Sequence, residues 1–201
     1  MNHNNIEKIY LFLFSFIPIS IVFGSAISLI NIITISFVFL VFTIQTLDFK
    51  FFRNSSFLLL ILIYFYLIFN SFIAIDFEMS ASRNFGFIRY ILLFIVVNYF
   101  FKLSNKTNNI FSFWSLIIII VAIDSFIEFY FGENILGYGK LYGDRIVSFF
   151  KDEPIVGGYL SAFIFIIIGY FFDKFIDKDT KFKLLLVFII FFLFLTVLIT
   201  G

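Results

Sequence analysis

Three ionisable side chains, Arg89, Asp124 and Glu128, stand inside stretches apolar enough to cross a lipid bilayer. A charge near mid-bilayer costs about 2.5–3.5 kcal/mol on insertion scales, so each needs a partner or a task. A spacing of four puts Asp124 and Glu128 on one helix face. Counted back from Gly132, Asp124 lies roughly 12 Å deep and Glu128 about 6 Å, at 1.5 Å per residue. Arg89 is roughly 9 Å inside its own run on the same count. Charges of both signs at that depth can build a polar cavity that opens outward and receives a charged headgroup. The alternative is that the acids only pair with Arg89 inside a helix bundle while it snorkels outward.

The acids lead into the longest polar stretch, Gly132 to Gly158, which reads GENILGYGKLYGDRIVSFFKDEPIVGG. Its Arg145 carries a planar guanidinium that can hold phosphate oxygens through two parallel hydrogen bonds, which an ammonium cannot do. Asp144 beside it is an alternative, salt-bridging partner. Asp152 and Glu153 either line the same cavity or, with Pro154 following, cap the next helix near its positive terminus. The glycines Gly137, Gly139 and Gly143 match neither G-x-G-x-x-G nor a phosphate-binding loop, which excludes nucleotide binding. His3 is the only histidine and lies in a polar tail, and there is no cysteine. No metal site, cofactor or disulfide is expected.

The elements that must position these groups follow from composition. Of 201 residues, 62% are hydrophobic and only 13% charged, with mean hydropathy +1.11. Soluble domains average about 25% charged, so this chain cannot build a wetted surface and reads as an integral membrane protein. A net charge of +1 argues against nucleic acid as a partner. The apolar run from Ile9 to Leu47 is far longer than the about 7–15-residue core of a signal peptide, so insertion by uncleaved helices is expected. A span needs about 20 apolar residues. The pattern predicts an all-α, polytopic transmembrane helix bundle of about seven spans, at 9–23, 26–47, 56–75, 85–101, 111–131, 155–172 and 184–200, the first of them short. The absence of apolar–polar alternation argues against a β-barrel. Residues 1–201 read as a single integral-membrane domain.

Sorting the connections by charge orients the bundle. The N-terminal segment and the loops near residues 48–53, 102–106 and 173–183 hold nine of the 14 basic residues and five of the 13 acids. Basic residues favour the cytoplasmic side. The N-terminus is therefore expected inside and the loop 132–154 outside. The sequons at Asn54 and Asn105 fall on the inner side, where no glycosylation occurs.

The succession Asp124-x3-Glu128-x3-Gly132-x-Asn134-x2-Gly137, then Arg145, then Phe149-Phe150-Lys151-Asp152-Glu153 and Gly157-Gly158-Tyr159-Leu160, resembles the bacterial O-antigen ligase and O-antigen polymerase superfamily. The likeness covers about residues 120–160, and Pro18 in the opening helices agrees loosely. Glu128 stands where the family usually has Gln. The resemblance implies a metal-independent membrane enzyme of the inner membrane, active in lipopolysaccharide or other surface polysaccharide biosynthesis. Such an enzyme moves glycan from an undecaprenyl-diphosphate carrier to a lipid A-core or glycan acceptor at the periplasmic face. It implies Arg145, with Arg89, as diphosphate-binding residues, Asp124, Glu128, Asp152 and Glu153 as cavity lining, and a catalytic base in a later outer loop. Family members continue past the position of Gly201, so a piece of a longer protein, inactive alone, is expected. Two other classes fit the same residues. A transporter or flippase of lipid-linked saccharide would show paired repeats and broken helices, and a non-enzymatic membrane subunit would use the buried charges only for assembly.

Overall fold

The computed structural model describes residues 3–46, 50–103, 107–139, 145–151 and 155–200, and among them all regular secondary structure is helical. The α-helices are α1 His3–Ser15, α2 Ile17–Val22, α3 Ser25–Thr46, α4 Ser55–Phe72, α5 Phe77–Gly86, α6 Ile88–Leu103, α7 Thr107–Phe131, α8 Val156–Phe175 and α9 Thr180–Thr200. Among the described residues six segments are long and apolar enough to cross a bilayer: α3, α4, α5 joined to α6 over Phe77–Lys102, α7, α8 and α9. Their outward Phe, Leu and Ile side chains are widely exposed, as expected where lipid rather than water is the solvent. The chain is a multi-pass membrane protein.

Two expectations need correction. The first predicted span, 9–23, is two helices of 13 and 6 residues that meet at Phe16, neither of them long enough to cross. Pro18 supplies the reason, since it has no N–H for the Phe14 carbonyl and its ring crowds that turn. Among the described residues six candidate spans therefore stand, against an expectation of about seven whose first was short, and the all-α polytopic bundle holds. The segment before residue 85, read as a loop, is helix α5. Asp76 caps it by accepting from the Met79 N–H at 3.0 Å, and polar Glu78, Ser80, Arg83 and Asn84 dilute its hydropathy.

The chain divides into two compact units, one of Met1–Ile17 with Ala26–Asn105, the other of Pro18–Ser25 with Lys106–Gly201. In the first, α1 buries Ile6, Tyr10 and Phe14, spaced by four along one face. Phe14 and Tyr10 meet Phe100 of α6 at 5.1 and 5.9 Å, and Tyr99 packs between Phe39 and Phe42 of α3. Asn31 of α3 donates to the Leu13 carbonyl at 3.3 Å. Asn84 of α5 donates to the Leu67 carbonyl and the Ser71 hydroxyl of α4, at 2.9 and 2.8 Å. Between helices in lipid such polar contacts hold elements together where no hydrophobic driving force distinguishes them.

The second unit is built on α7, α8 and α9, each packed on the other two. Phe126 of α7 stacks on Phe192 of α9 at 5.1 Å, and Trp114 meets Phe163 of α8 edge-on at 5.3 Å. Such pairs are each worth about 0.5–1.5 kcal/mol beyond their burial. Gly157 lets α8 approach α9 closely, because a Cβ there would stand 3.0 Å from the Thr200 hydroxyl oxygen. Gly169, farther along α8, has open space. Gly157→Val should destabilise the unit by about 1–3 kcal/mol, read as a lower unfolding midpoint in detergent, while Gly169→Val should leave the midpoint nearly unchanged. Equal midpoints for the two variants would remove this contact from the packing account.

Candidate functional site

The segment after α7 is organised by one side chain. Asn134 accepts from the Leu136 and Tyr138 N–H groups at 2.9 and 2.8 Å, while its own N–H donates to the Tyr138 carbonyl at 2.8 Å and its carbonyl accepts from Gly137. This closes a compact turn of the kind Asn side chains favour. Asn134 is buried, and its amide also donates to the Ser148 carbonyl at 2.5 Å, tying the turn to a second part of the loop.

That second part, Ile146-Val147-Ser148, lies against α7 and is buried. Glu128 accepts from the Val147 N–H at 2.9 Å through one carboxylate oxygen and from the Ser148 N–H at 2.6 Å through the other. Asp124 accepts from the Ser148 hydroxyl at 2.6 Å, from the Ile135 N–H at 3.0 Å and, more weakly, from the Asn134 amide at 3.4 Å. Among the described residues, every hydrogen-bond partner of the two carboxylates is Asn134, Ile135, Val147 or Ser148. Short contacts from N–H and O–H to a carboxylate are the strong class of protein hydrogen bonds. Ser148 takes φ 48° to present its N–H and its hydroxyl to two different acids at once. Gly139 passes so close to Glu128 that a Cβ would lie 2.7 Å from a carboxylate oxygen, and its φ of 128° suits only glycine.

The pinned tripeptide is bracketed by two cations. Arg145, just before it, is exposed and makes no hydrogen bond or ion pair with any described residue. Lys151, just after the short helical turn Ser148–Phe150, is exposed at φ 57° and lies on the rim of a cavity of about 460 Å³. The walls are apolar: Ile21, Val22 and Phe23 from the end of α2, Leu136 from the turn, and Phe149 and Phe150. Tyr159 braces α2 from α8, its hydroxyl donating to the Pro18 carbonyl at 3.3 Å while its ring meets Phe150 at 5.0 Å. A cavity of that size, with apolar walls and one cation at its mouth, suits an amphiphile with an anionic head.

The expected site residues are thus distributed as follows. Asp124 and Glu128 come together with the loop and are enclosed, not open to solvent. Arg145 is exposed and pairs with no described residue, and Asp144, Asp152 and Glu153 lie outside the described residues. Arg89 belongs to the other compact unit, where it donates to the Tyr90 hydroxyl at 3.3 Å and covers that ring at 4.9 Å, with its Nε buried and unpartnered. Three residues that carry the geometry, Asn134, Ser148 and Lys151, escaped the site reading of the sequence. Only Asn134 had a local signal, an Asn three residues ahead of a Gly. Among the described residues no three metal-ligating side chains gather. Neither a protein-family model, nor a curated protein, nor a solved structure matches the chain.

Removing an acid leaves buried loop donors without acceptors, at about 1–3 kcal/mol for each. Asp124→Ala and Ser148→Ala should both loosen the loop, with Asp124→Ala the worse because three donors lose their acceptor. Limited proteolysis of the protein in membranes reads this as faster cleavage between residues 132 and 155. Gly139→Ala should do the same by displacing Glu128. Wild-type cleavage rates in all three would show that the carboxylates do not hold the loop.

Proposed function

We propose that the chain serves glycan transfer from an undecaprenyl-diphosphate carrier to a lipid or glycan acceptor at the outer face of the bacterial inner membrane, in the manner of the O-antigen ligases and polymerases. The observation that carries this reading is the exposed Arg145 guanidinium, which pairs with no described residue and stands at the end of a loop segment that two buried carboxylates hold. In such a transfer the acceptor oxygen bonds to the anomeric carbon as the bond to the carrier diphosphate breaks. Negative charge then grows on the leaving diphosphate. A guanidinium fixed in place before the reaction stabilises that charge without a metal, because no reorganisation is needed as it develops. Arg145 supplies two parallel donors for the phosphate oxygens, and Lys151 adds a second positive charge at the cavity mouth. The apolar walls behind Lys151 offer the isoprenoid tail a place beside the bilayer.

Within this reading Asp124 and Glu128 are positioning residues. Their oxygens are occupied by the loop and screened from solvent, so neither takes the acceptor proton. Basic residues concentrated on the opposite connections support an outward-facing loop.

Arg145→Ala should lower turnover about 10²–10³-fold, the usual loss when one preorganised donor to a developing anion is removed. Arg145→Lys should recover only part of it, since an ammonium lacks the two-pronged geometry. The assay is transfer by the full-length protein that contains this chain, from a synthetic polyprenyl-diphosphate oligosaccharide in proteoliposomes, with proteolysis as a check that the loop is intact. Unimpaired transfer by Arg145→Ala would reject the assignment.

A further inference from the structure

A second groove lies between α7 and α8 at the end of the helices away from the loop, with a volume of about 500 Å³. From the geometry we infer that it is a binding site for an anionic phospholipid of the adjoining leaflet, a role separate from glycan transfer. Along α7 the residues Asn109, Ser112, Leu116 and Ile119 recur at helical spacing on the groove side. They pass from polar to apolar over ten residues, roughly 15 Å, which matches the run from a lipid headgroup into its acyl chain. The Asn109 amide and the Ser112 hydroxyl are exposed and make no hydrogen bond with any described residue.

The facing wall fixes the charge of the ligand. Lys174 of α8 donates to the Tyr170 hydroxyl at 3.3 Å and lies 5.4 Å over that ring, in the groove wall. No described carboxylate forms an ion pair with it, although Asp173 and Asp177 are close in sequence. The ammonium therefore stands at the polar end of the stripe with no described carboxylate neutralising its charge. A phosphate there would meet Lys174, Ser112 and Asn109 together, with an acyl chain running down past Leu116 and Ile119. A zwitterionic lipid would bring its own cation to the same place and bind less well. The connection after α8 alternates Asp177, Asp179 with Lys178, Lys181, Lys183, so its charges largely balance and the preference rests on Lys174.

The single tryptophan, Trp114, is buried against Phe111 and Phe163, one residue from Ser115 of the groove wall, and serves as a short-range reporter of a quencher seated in the groove. The full chain is reconstituted in bilayers that contain equal fractions of brominated phosphatidylglycerol or brominated phosphatidylcholine, and Trp114 fluorescence is recorded. The anionic bromolipid should be preferred about fivefold, which is what one lysine near a charged lipid is worth. Lys174→Gln should erase the preference, while Lys174→Arg and Lys178→Gln should keep it. Arg145→Ala should also keep it, so loss of glycan transfer and loss of this site are told apart. Equal quenching by both lipids, or a preference that survives Lys174→Gln, overturns the proposal. So does the absence of quenching by either lipid, which would mean that another helix or a second copy covers the groove.

Discussion

Asp124 and Glu128 act as acceptors for a stretch of backbone that returns to membrane depth after α7 has ended. A loop that dips beside a helix in lipid has N–H groups with no water to receive them, and irregular backbone is tolerated there only where protein satisfies it. Ser148 reaches the level of Asp124, roughly 12 Å below the end of α7. The two acids meet that need from one helix face, and the loop donors in turn satisfy oxygens that would otherwise be costly to bury. Much else is subordinate to this exchange: the left-handed Ser148, the absence of a side chain at residue 139, and the Asn134 turn that closes over the top. The cations Arg145 and Lys151 emerge at the two ends of the held segment. Their positions follow from carboxylates that pair with neither of them.

The parts of this architecture that were legible in the sequence are those governed by local composition. Apolar runs located α3, α4, α7, α8 and α9 to within a few residues, because hydropathy alone decides what can enter lipid. The failures occurred where hydropathy and backbone chemistry diverge. The run from Ile9 to Phe23 is apolar throughout, yet Pro18 divides it. The stretch from Phe77 to Gly86 is polar enough to pass for a loop, yet its cap at Asp76 and its contacts with α4 make it helical. A window average sees neither a missing N–H nor a cap.

The site shows the same division. Asp124 and Glu128 announced themselves as misfits in a lipid-facing helix, and their shared face and depth followed from helix geometry. Their partners could not be read, because backbone donors of a loop look alike in any sequence. The acids were expected to face a cavity. They face Val147, Ser148 and Ile135 instead, and the cavity lies beyond them against α2. Ser148 had no reason to stand out among the hydroxyls of the chain until tertiary structure placed two carboxylates around it.

The seam between α7 and α8 bears on what kind of membrane protein this is. Phe150, Tyr159, Phe163, Trp114, Phe111 and Tyr170 follow one another from the loop to the far groove, with successive ring centroids 5.0, 5.2, 5.3, 5.9 and 6.3 Å apart. Five such contacts are worth about 3–7 kcal/mol beyond their burial, and a sugar passing along this seam would have to break them in turn. Packed rings therefore separate the two grooves along this seam. A flippase needs a polar route with two discrete states, and in this unit the two membrane-depth carboxylates, Asp124 and Glu128, are instead locked to a loop at one end. Chemistry at a fixed surface site fits that arrangement better than carriage through the seam.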